Sequence, residues 1–275
     1  MKYTKENQFA QNLAPHVLAL VDKKFSVKRA VSYKSSSQDV VSDLDYAVDK
    51  LIFGKISSAF PKDTLVTEES SPEQFKEIMR GKRGWIVDPL CGSQNVAHGI
   101  RWFATNIILC EDTQVQAAWV IDHSRKRLLS GTGGNKIYDG AKKIAPLGKK
   151  YTRATLIEWD TGYLPLLSES MQKRYINLFK DIALKNGAGP TRHLGSSLGF
   201  AYVATGQLNG VVIINVYPWD ILAGAFLVEQ NGGIVTTFDG SPWTLQSKSM
   251  IMAGNKTIHQ LLLSLVKKNN LTKIV

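Results

Sequence analysis

Early in the chain apolar residues recur at helical spacing, at Phe9, Leu13, Val17, Leu20 and Val21 and again at Leu44, Val48, Leu51, Ile52 and Ile56. From Trp85 onward they fall instead in short runs broken by polar turns. A chain that changes its hydrophobic period in this way buries both kinds of face by stacking helices on sheets, which argues against a pure bundle or barrel. The spacing predicts two amphipathic helices at the start, the first containing Pro15, which can kink it. Strands are expected at residues 85–87, 105–110 and 116–121, and Gly131, Gly133 and Gly134 suit a hairpin or loop. Further on, helices are expected at 171–182, ended by Gly187, at 198–204, at 219–230 just after Pro218, and at 257–267, with strands at 211–216, 234–238 and 250–253. The stretch 140–150 is the best candidate for a link, giving an N-terminal α+β domain over 1–145 and a C-terminal α/β domain over 146–275.

Composition narrows the setting. With 275 residues and 44% hydrophobic content the chain can bury a large core. No run reaches the length of a membrane span and the N-terminus leads into no signal-peptide core, so a cytoplasmic protein without membrane partners is expected. Two cysteines, Cys91 and Cys110, form no disulfide framework and no zinc-type cluster. A formal charge of +11 makes polyanions plausible partners. Between His123 and Arg153 lie Arg125, Lys126, Arg127, Lys136, Lys142, Lys143, Lys149, Lys150 and Arg153 against the single acid Asp139. A solvated basic face explains this stretch better than a nucleic-acid site, because no recognition motif or stacking array accompanies it.

Three separated segments set acids beside residues that would bury or orient them: Val66-Thr67-Glu68-Glu69-Ser70, Ile86-Val87-Asp88-Pro89-Leu90-Cys91-Gly92-Ser93, and Pro218-Trp219-Asp220. Carboxylates projected from strand or helix ends can converge on a hard cation. Taken singly, Asp220 would serve as a helix N-cap and Asp88-Pro89 as an ordinary turn.

Taken together and in this order, the segments resemble the inositol monophosphatase family, whose markers are a Glu-Glu-Ser segment, an Asp-Pro-x-Asp-Gly-Thr segment and a late Trp-Asp-x-x-Ala-Gly segment. The last reads Trp219-Asp220-Ile221-Leu222-Ala223-Gly224 here and is followed by Glu229-Gln230-Asn231-Gly232-Gly233. Gly195-Ser196-Ser197, Ala204-Thr205-Gly206 and the region from Lys34 to Asp45 extend the match. The resemblance implies a layered αβαβα sandwich, a magnesium-dependent phosphatase activity on a small phosphorylated substrate, and a homodimer. It implies that Glu68, Asp88 and the Leu90 carbonyl hold a first magnesium, that Asp88 and Asp220 face a second, and that Asp45 supports an outer ion or its waters. Glu69 would support these ligands, Ser93 would orient the attacking water, and Gly92, Ser93, Gly195, Ser196 and His193 would contact the substrate.

Two departures bear on function. Cys91 stands where the family's second motif has its second aspartate, and a thiol is a poor, soft ligand for magnesium. A weakened second metal position is therefore expected. A thiol-phosphatase role for Cys91 is disfavoured, because the position six residues on is Ala97 and not a phosphate-binding arginine. Ile213 occupies the place, seven residues before Asp220, of a family glutamate that contacts the sugar ring. The loss of that contact counts against inositol monophosphate itself and in favour of another phosphomonoester or a polyanionic nucleotide. His98, like His193, is most simply a partly exposed loop residue. The sequence leaves two functions open, a magnesium-dependent phosphomonoesterase and a catalytically impaired homologue that binds a polyanion, RNA or protein partner.

Overall fold

A computed structural model describes residues 2–25, 31–33, 40–68, 72–148, 155–162, 164–184 and 191–273. The chain runs α1 (Thr4–Phe25), a short antiparallel pair β1 (Val31–Tyr33) and β2 (Val40–Ser42), α2 (Asp43–Ala59), β3 (Thr64–Thr67) and α3 (Pro72–Met79). It continues as β4 (Gly84–Cys91), α4 (Ser93–Ala97), β5 (Ala104–Glu111), β6 (Gln114–Asp122), β7 (Arg127–Gly131), β8 (Ile137–Asp139) and β9 (Lys142–Lys143). These strands form one sheet in the order β3-β4-β5-β6-β7-β8-β9, antiparallel throughout except for the β3–β4 pair. The remaining elements are β10 (Ile157–Asp160), α5 (Glu169–Leu184), β11 (Thr191–Arg192), α6 (Leu198–Ala204), β12 (Gly210–Ile213), α7 (Pro218–Gln230), β13 (Ile234–Thr237), β14 (Met250–Ala253) and α8 (Lys256–Lys268). Their strands build a second sheet in the order β11-β10-β12-β14-β13.

Side-chain alternation turns the two sheets into five layers. In β4, Trp85 and Val87 pack with α1 and α2, while Ile86 faces the opposite side. Ile107 and Leu109 alternate with Ile108 and Cys110 in β5, and Trp119 and Ile121 with Ala118 and Val120 in β6, in the same sense. The second sheet repeats the device: Val211 and Ile213 look toward α6 and α7, whereas Val212 and Ile214 look toward α5 and α8. The layers are therefore α1/α2, the seven-stranded sheet, α6/α7, the five-stranded sheet, and α5/α8, the αβαβα order expected from the sequence. Because α7 lies between two sheets, every residue from Ile221 to Val228 is buried, a helix apolar on all sides.

Several local expectations need adjustment. The helix α1 continues through Pro15, whose exposed position leaves the carbonyl it deprives of a partner on the solvent side. The strand expected at 211–216 stops at Ile213, since Asn215 adopts a left-handed φ of 51°. The stretch 140–150 does not begin as a link: Lys142 and Lys143 form β9 on the edge of the first sheet. Gly187, Lys149, Lys150 and Arg153 lie outside the described residues. No helix among the described residues is long and apolar enough to cross a membrane.

Candidate active site

The three acidic segments meet at one cavity of about 680 Å³ between the two sheets, lined among others by Glu68, Asp88, Leu90, Cys91, Gly92, Ser93 and Asp220. Each acid arrives on a different element. Glu68 follows β3 directly, and its N–H donates to the Val87 carbonyl at 3.1 Å, which carries the β3–β4 pairing one residue beyond the strand. Asp88 lies within β4 rather than in a turn, and the register against β5 shifts between Asp88 and Cys91, so the strand end swings toward the cavity. Asp220 is the third residue of α7 and not its N-cap; its Oδ2 accepts the Tyr217 N–H at 2.8 Å.

Asp88 is the most constrained group. It is 1% exposed, and among the described residues no N–H or O–H donor reaches either carboxylate oxygen. Burial, followed by the neighbouring charges of Glu68 and Asp220, pushes its carboxyl well above the usual range. Buried carboxylates are normally satisfied by donors or by a cation. A carboxylate that converges with two other acids and meets only the Cys91 thiol fits a metal-ligand role, so the residues present suit a hard divalent ion at the first position, made up of Glu68, Asp88 and the Leu90 carbonyl.

Ser93 and Asp45 form the supporting corner. Ser93 Oγ lies 2.6 Å from Asp45 Oδ1 and 3.0 Å from the Leu90 carbonyl. One hydroxyl proton serves one acceptor, and the shorter contact to the carboxylate takes it, which leaves the Leu90 oxygen available. The other Asp45 oxygen accepts from Ser42 N–H at 2.9 Å and from Ser42 Oγ at 2.5 Å. Asp45 is thus buried, braces Ser93, and is not among the residues that line the cavity. Gly92 precedes α4 with φ 112°, and a Cβ there would meet Phe103 Cβ at 3.1 Å and Ser196 Cβ at 3.2 Å, so the tight entry to Ser93 requires glycine.

Cys91 joins this cluster. Its thiol, Asp88 and Asp220 offer ligand atoms that all lie within 4.8 Å of one another. Burial, then the Asp88 and Asp220 charges, push the thiol well above its ordinary range. Magnesium does not fit this second position as it does the first, because a neutral thiol gives a hard cation neither charge nor an oxygen.

Of the remaining sequence-derived contacts, Gly195, Ser196 and His193 line the cavity and His98 does not. His98 ends α4, with Nδ1 donating to the Gln94 carbonyl at 2.9 Å. Glu69 lies outside the described residues. Sequence reasoning missed Asp160. It ends β10 directly beside Ile213 in the sheet, lines the cavity, and keeps Oδ1 on the Gly162 N–H at 2.8 Å. Facing the apolar wall at Ile213, an acid thus returns one strand away. The run Leu156-Ile157-Glu158-Trp159 before it reads as a strand, and that was the signal available. Behind it, Glu158 is fully buried, and a Cβ on Gly199 would stand 1.3 Å from its Oε2, so α6 approaches β10 only because residue 199 is glycine. Ser197 and Asn106 were also missed: Ser197 Oγ donates to Asn106 Oδ1 at 3.1 Å, and Asn106 Nδ2 donates to the Trp219 carbonyl at 3.0 Å, fixing the start of α7 beside Asp220.

The basic stretch is partly engaged. Arg127 pairs with Asp122 and Asp139, Lys126 with Asp22, and Arg125 lies over the Tyr202 ring at 4.8 Å, whereas Lys136, Lys142 and Lys143 are exposed.

Comparisons with known proteins bear on the family and the fold. A profile described as the inositol monophosphatase family matches residues 3–271. The putative Nus factor SuhB of Neisseria meningitidis serogroup B is 31% identical over 228 residues, 82% of this chain and 83% of that protein. Inositol-1-monophosphatase of Bacillus subtilis is 25% identical over 259 residues, 94% and 95% of the two chains. The crystal structure of the extragenic suppressor protein suhB from Bartonella henselae superposes with a TM-score of 0.83 at 25% identity, covering 96% of this chain and 99% of that one.

Proposed function

Because the chain belongs to the inositol monophosphatase family, we propose that it is a magnesium-dependent phosphomonoesterase acting on a small sugar, polyol or nucleotide phosphate. The observation that carries this reading is the convergence of Glu68, Asp88 and Asp220 from three elements on one cavity, with Asp88 buried and, among the described residues, met by no N–H or O–H donor.

Glu68, Asp88 and the Leu90 carbonyl would hold the ion. The chemistry supplied by such a cation is neutralisation of phosphate charge and acidification of a water. The protein does the rest by position. Ser93 gives its proton to Asp45, so its lone pairs face outward as acceptors for a proton of the attacking water. The N–H groups of Ser93 and Asn95, in the first turn of α4, belong to residues that line the cavity, where phosphate oxygens can accept from them. Asn95 holds this turn against the opposite wall, with Nδ2 on the Trp102 carbonyl at 2.8 Å and the Leu194 carbonyl at 3.0 Å. On the far wall, Asp160 and His193 face the leaving group. His193 Nδ1 donates to the Trp159 carbonyl at 3.1 Å, which leaves Nε2 for a ligand.

The test is release of inorganic phosphate from a panel of sugar, polyol and nucleotide monophosphates with magnesium and with a chelator. Magnesium-dependent release that Asp88→Asn abolishes supports the reading; no release from any ester at any magnesium concentration rejects it.

A second reading, a binding protein, is favoured by Cys91 at a metal position and by the exposed Lys136, Lys142 and Lys143. Relatives named as Nus factors make a transcription partner one form of it. Binding of RNA would weaken steeply with salt, as counterions return to the phosphates; salt-independent binding or none would reject an RNA partner.

A further inference from the structure

The second metal position carries more than a lost aspartate. Sulfur replaces oxygen at one corner of a three-donor cluster whose members lie within 4.8 Å of one another, little more than two zinc–ligand bonds of ~2.0–2.3 Å placed end to end. At a second corner Asp88, buried to 1% exposure, has two oxygens that no N–H or O–H donor among the described residues reaches, the Cys91 thiol being the one donor that faces it. The third corner, Asp220, is held at the first turn of α7.

The sulfur is also held in place. Ser197 N–H donates to Cys91 Sγ at 3.2 Å, and Ser196 Oγ donates to the Cys91 carbonyl at 2.9 Å, so both ends of the residue are fixed by the segment that opens α6. Tethers of this kind orient ligands in metal sites. Cys91 lines the cavity and belongs to none of the apolar core clusters, so core packing does not account for sulfur there.

We propose that Asp88, Cys91 and Asp220 form a mixed oxygen–sulfur site for a borderline-soft divalent cation of the zinc type, in place of a second magnesium. Softness decides the choice: thiolate selects zinc-like ions, while magnesium binds oxygen and gives up its waters reluctantly. On binding, the Cys91 Sγ–H bond breaks, the sulfur keeps the electron pair as the metal bond forms, and the proton leaves to solvent, so the cluster gains the negative charge that the missing aspartate would have carried. No electron is transferred. The inference deepens the phosphatase reading by naming the ion its second position takes, yet its test does not depend on turnover.

The experiment titrates the metal-free protein with Co²⁺ as a spectroscopic stand-in for zinc. A near-ultraviolet sulfur-to-cobalt charge-transfer band should grow to saturation, persist in Cys110→Ala, and vanish in Cys91→Ser and Cys91→Asp. Zn²⁺ should displace it and Mg²⁺ in large excess should not. Zinc affinity should fall at least ~10-fold in Cys91→Ser, no less than loss of a mere supporting group would cause. Absence of the band at saturating cobalt, its survival in both Cys91 variants, or equal displacement by magnesium would overturn the proposal. Failure of the phosphatase reading would show instead as absent phosphate release with the band intact.

Discussion

The Ser197 backbone N–H donates to Cys91 Sγ at 3.2 Å, so the residue at the end of β4 in the first sheet is held by the segment that begins α6 in the middle layer. The contact places the thiol beside Asp88 and Asp220 and ties the geometry of the acid cluster to the packing of the two sheets around α6 and α7. Four consequences follow from this arrangement and from the corners that support it.

Ser93 depends on Asp45 for its orientation. Ser93→Ala should lower kcat by ~100-fold, the low end of what a positioned proton acceptor contributes, with a small change in KM. Asp45→Asn should also lower kcat, because its amide can turn a donor toward Ser93 and occupy the lone pairs that face the water. Steady-state kinetics on any hydrolysed ester separates the two parameters. A rise in KM alone would place Ser93 in binding.

Asp160, beside Ile213 on the cavity wall, should act on the leaving group. Asp160→Ala is expected to raise KM by ~10-fold for an ester whose leaving group bears hydroxyls, the size of one charge-assisted hydrogen bond. For ethyl phosphate, which has no further hydroxyl, KM should stay unchanged. Equal effects on both esters would assign Asp160 a structural role.

Asp122 joins the first sheet to α6. Its carboxylate accepts from Ser124 Oγ at 2.6 Å, Arg125 N–H at 3.0 Å, Arg127 Nε at 3.0 Å and Tyr202 Oη at 2.9 Å. Burial alone would raise this carboxyl, and the donors outweigh burial to hold it below the usual value. A depressed folded value means that the stabilisation is complete above the unfolded value of ~3.9 and is lost as pH falls through the folded one. Asp122→Ala should therefore cost about 3 kcal/mol at pH 7, with the gap to wild type closing below ~pH 4. Denaturant melts at the two pH values check it. A pH-independent gap would trace the loss to packing.

Hydrophobic period marked most of the helices and strands and their stacking in layers, because runs in β4, β5, β6 and β12 and the unbroken apolar run of α7 record which faces are covered, while the αβαβα order itself was implied by the resemblance. Short edge elements escaped. The two residues of β9, Lys142 and Lys143, and the two of β11, Thr191 and Arg192, have no apolar face to mark them, and only pairing with a neighbouring strand makes them strands. At the site, Glu68, Asp88 and Asp220 were legible because each sits in a local motif. Asp160, Asn106 and Ser197 were not, since their importance arises from contacts across β10–β12 and β5–α6–α7 that no local spacing encodes. Asp45 was legible as a participant, and its hold on Ser93 was not, since the two residues sit on different elements.

The central claim is that this cavity is a metal-dependent phosphatase site whose second metal position is altered by the thiol of Cys91. The most direct measurement is phosphate release against magnesium concentration for wild type and Cys91→Asp on the same esters. The account predicts magnesium-dependent release in both, with Cys91→Asp reaching half-maximal rate at a magnesium concentration at least ~10-fold lower. Superimposable magnesium curves would contradict the role given to Cys91, and no release from either protein would contradict the phosphatase assignment itself.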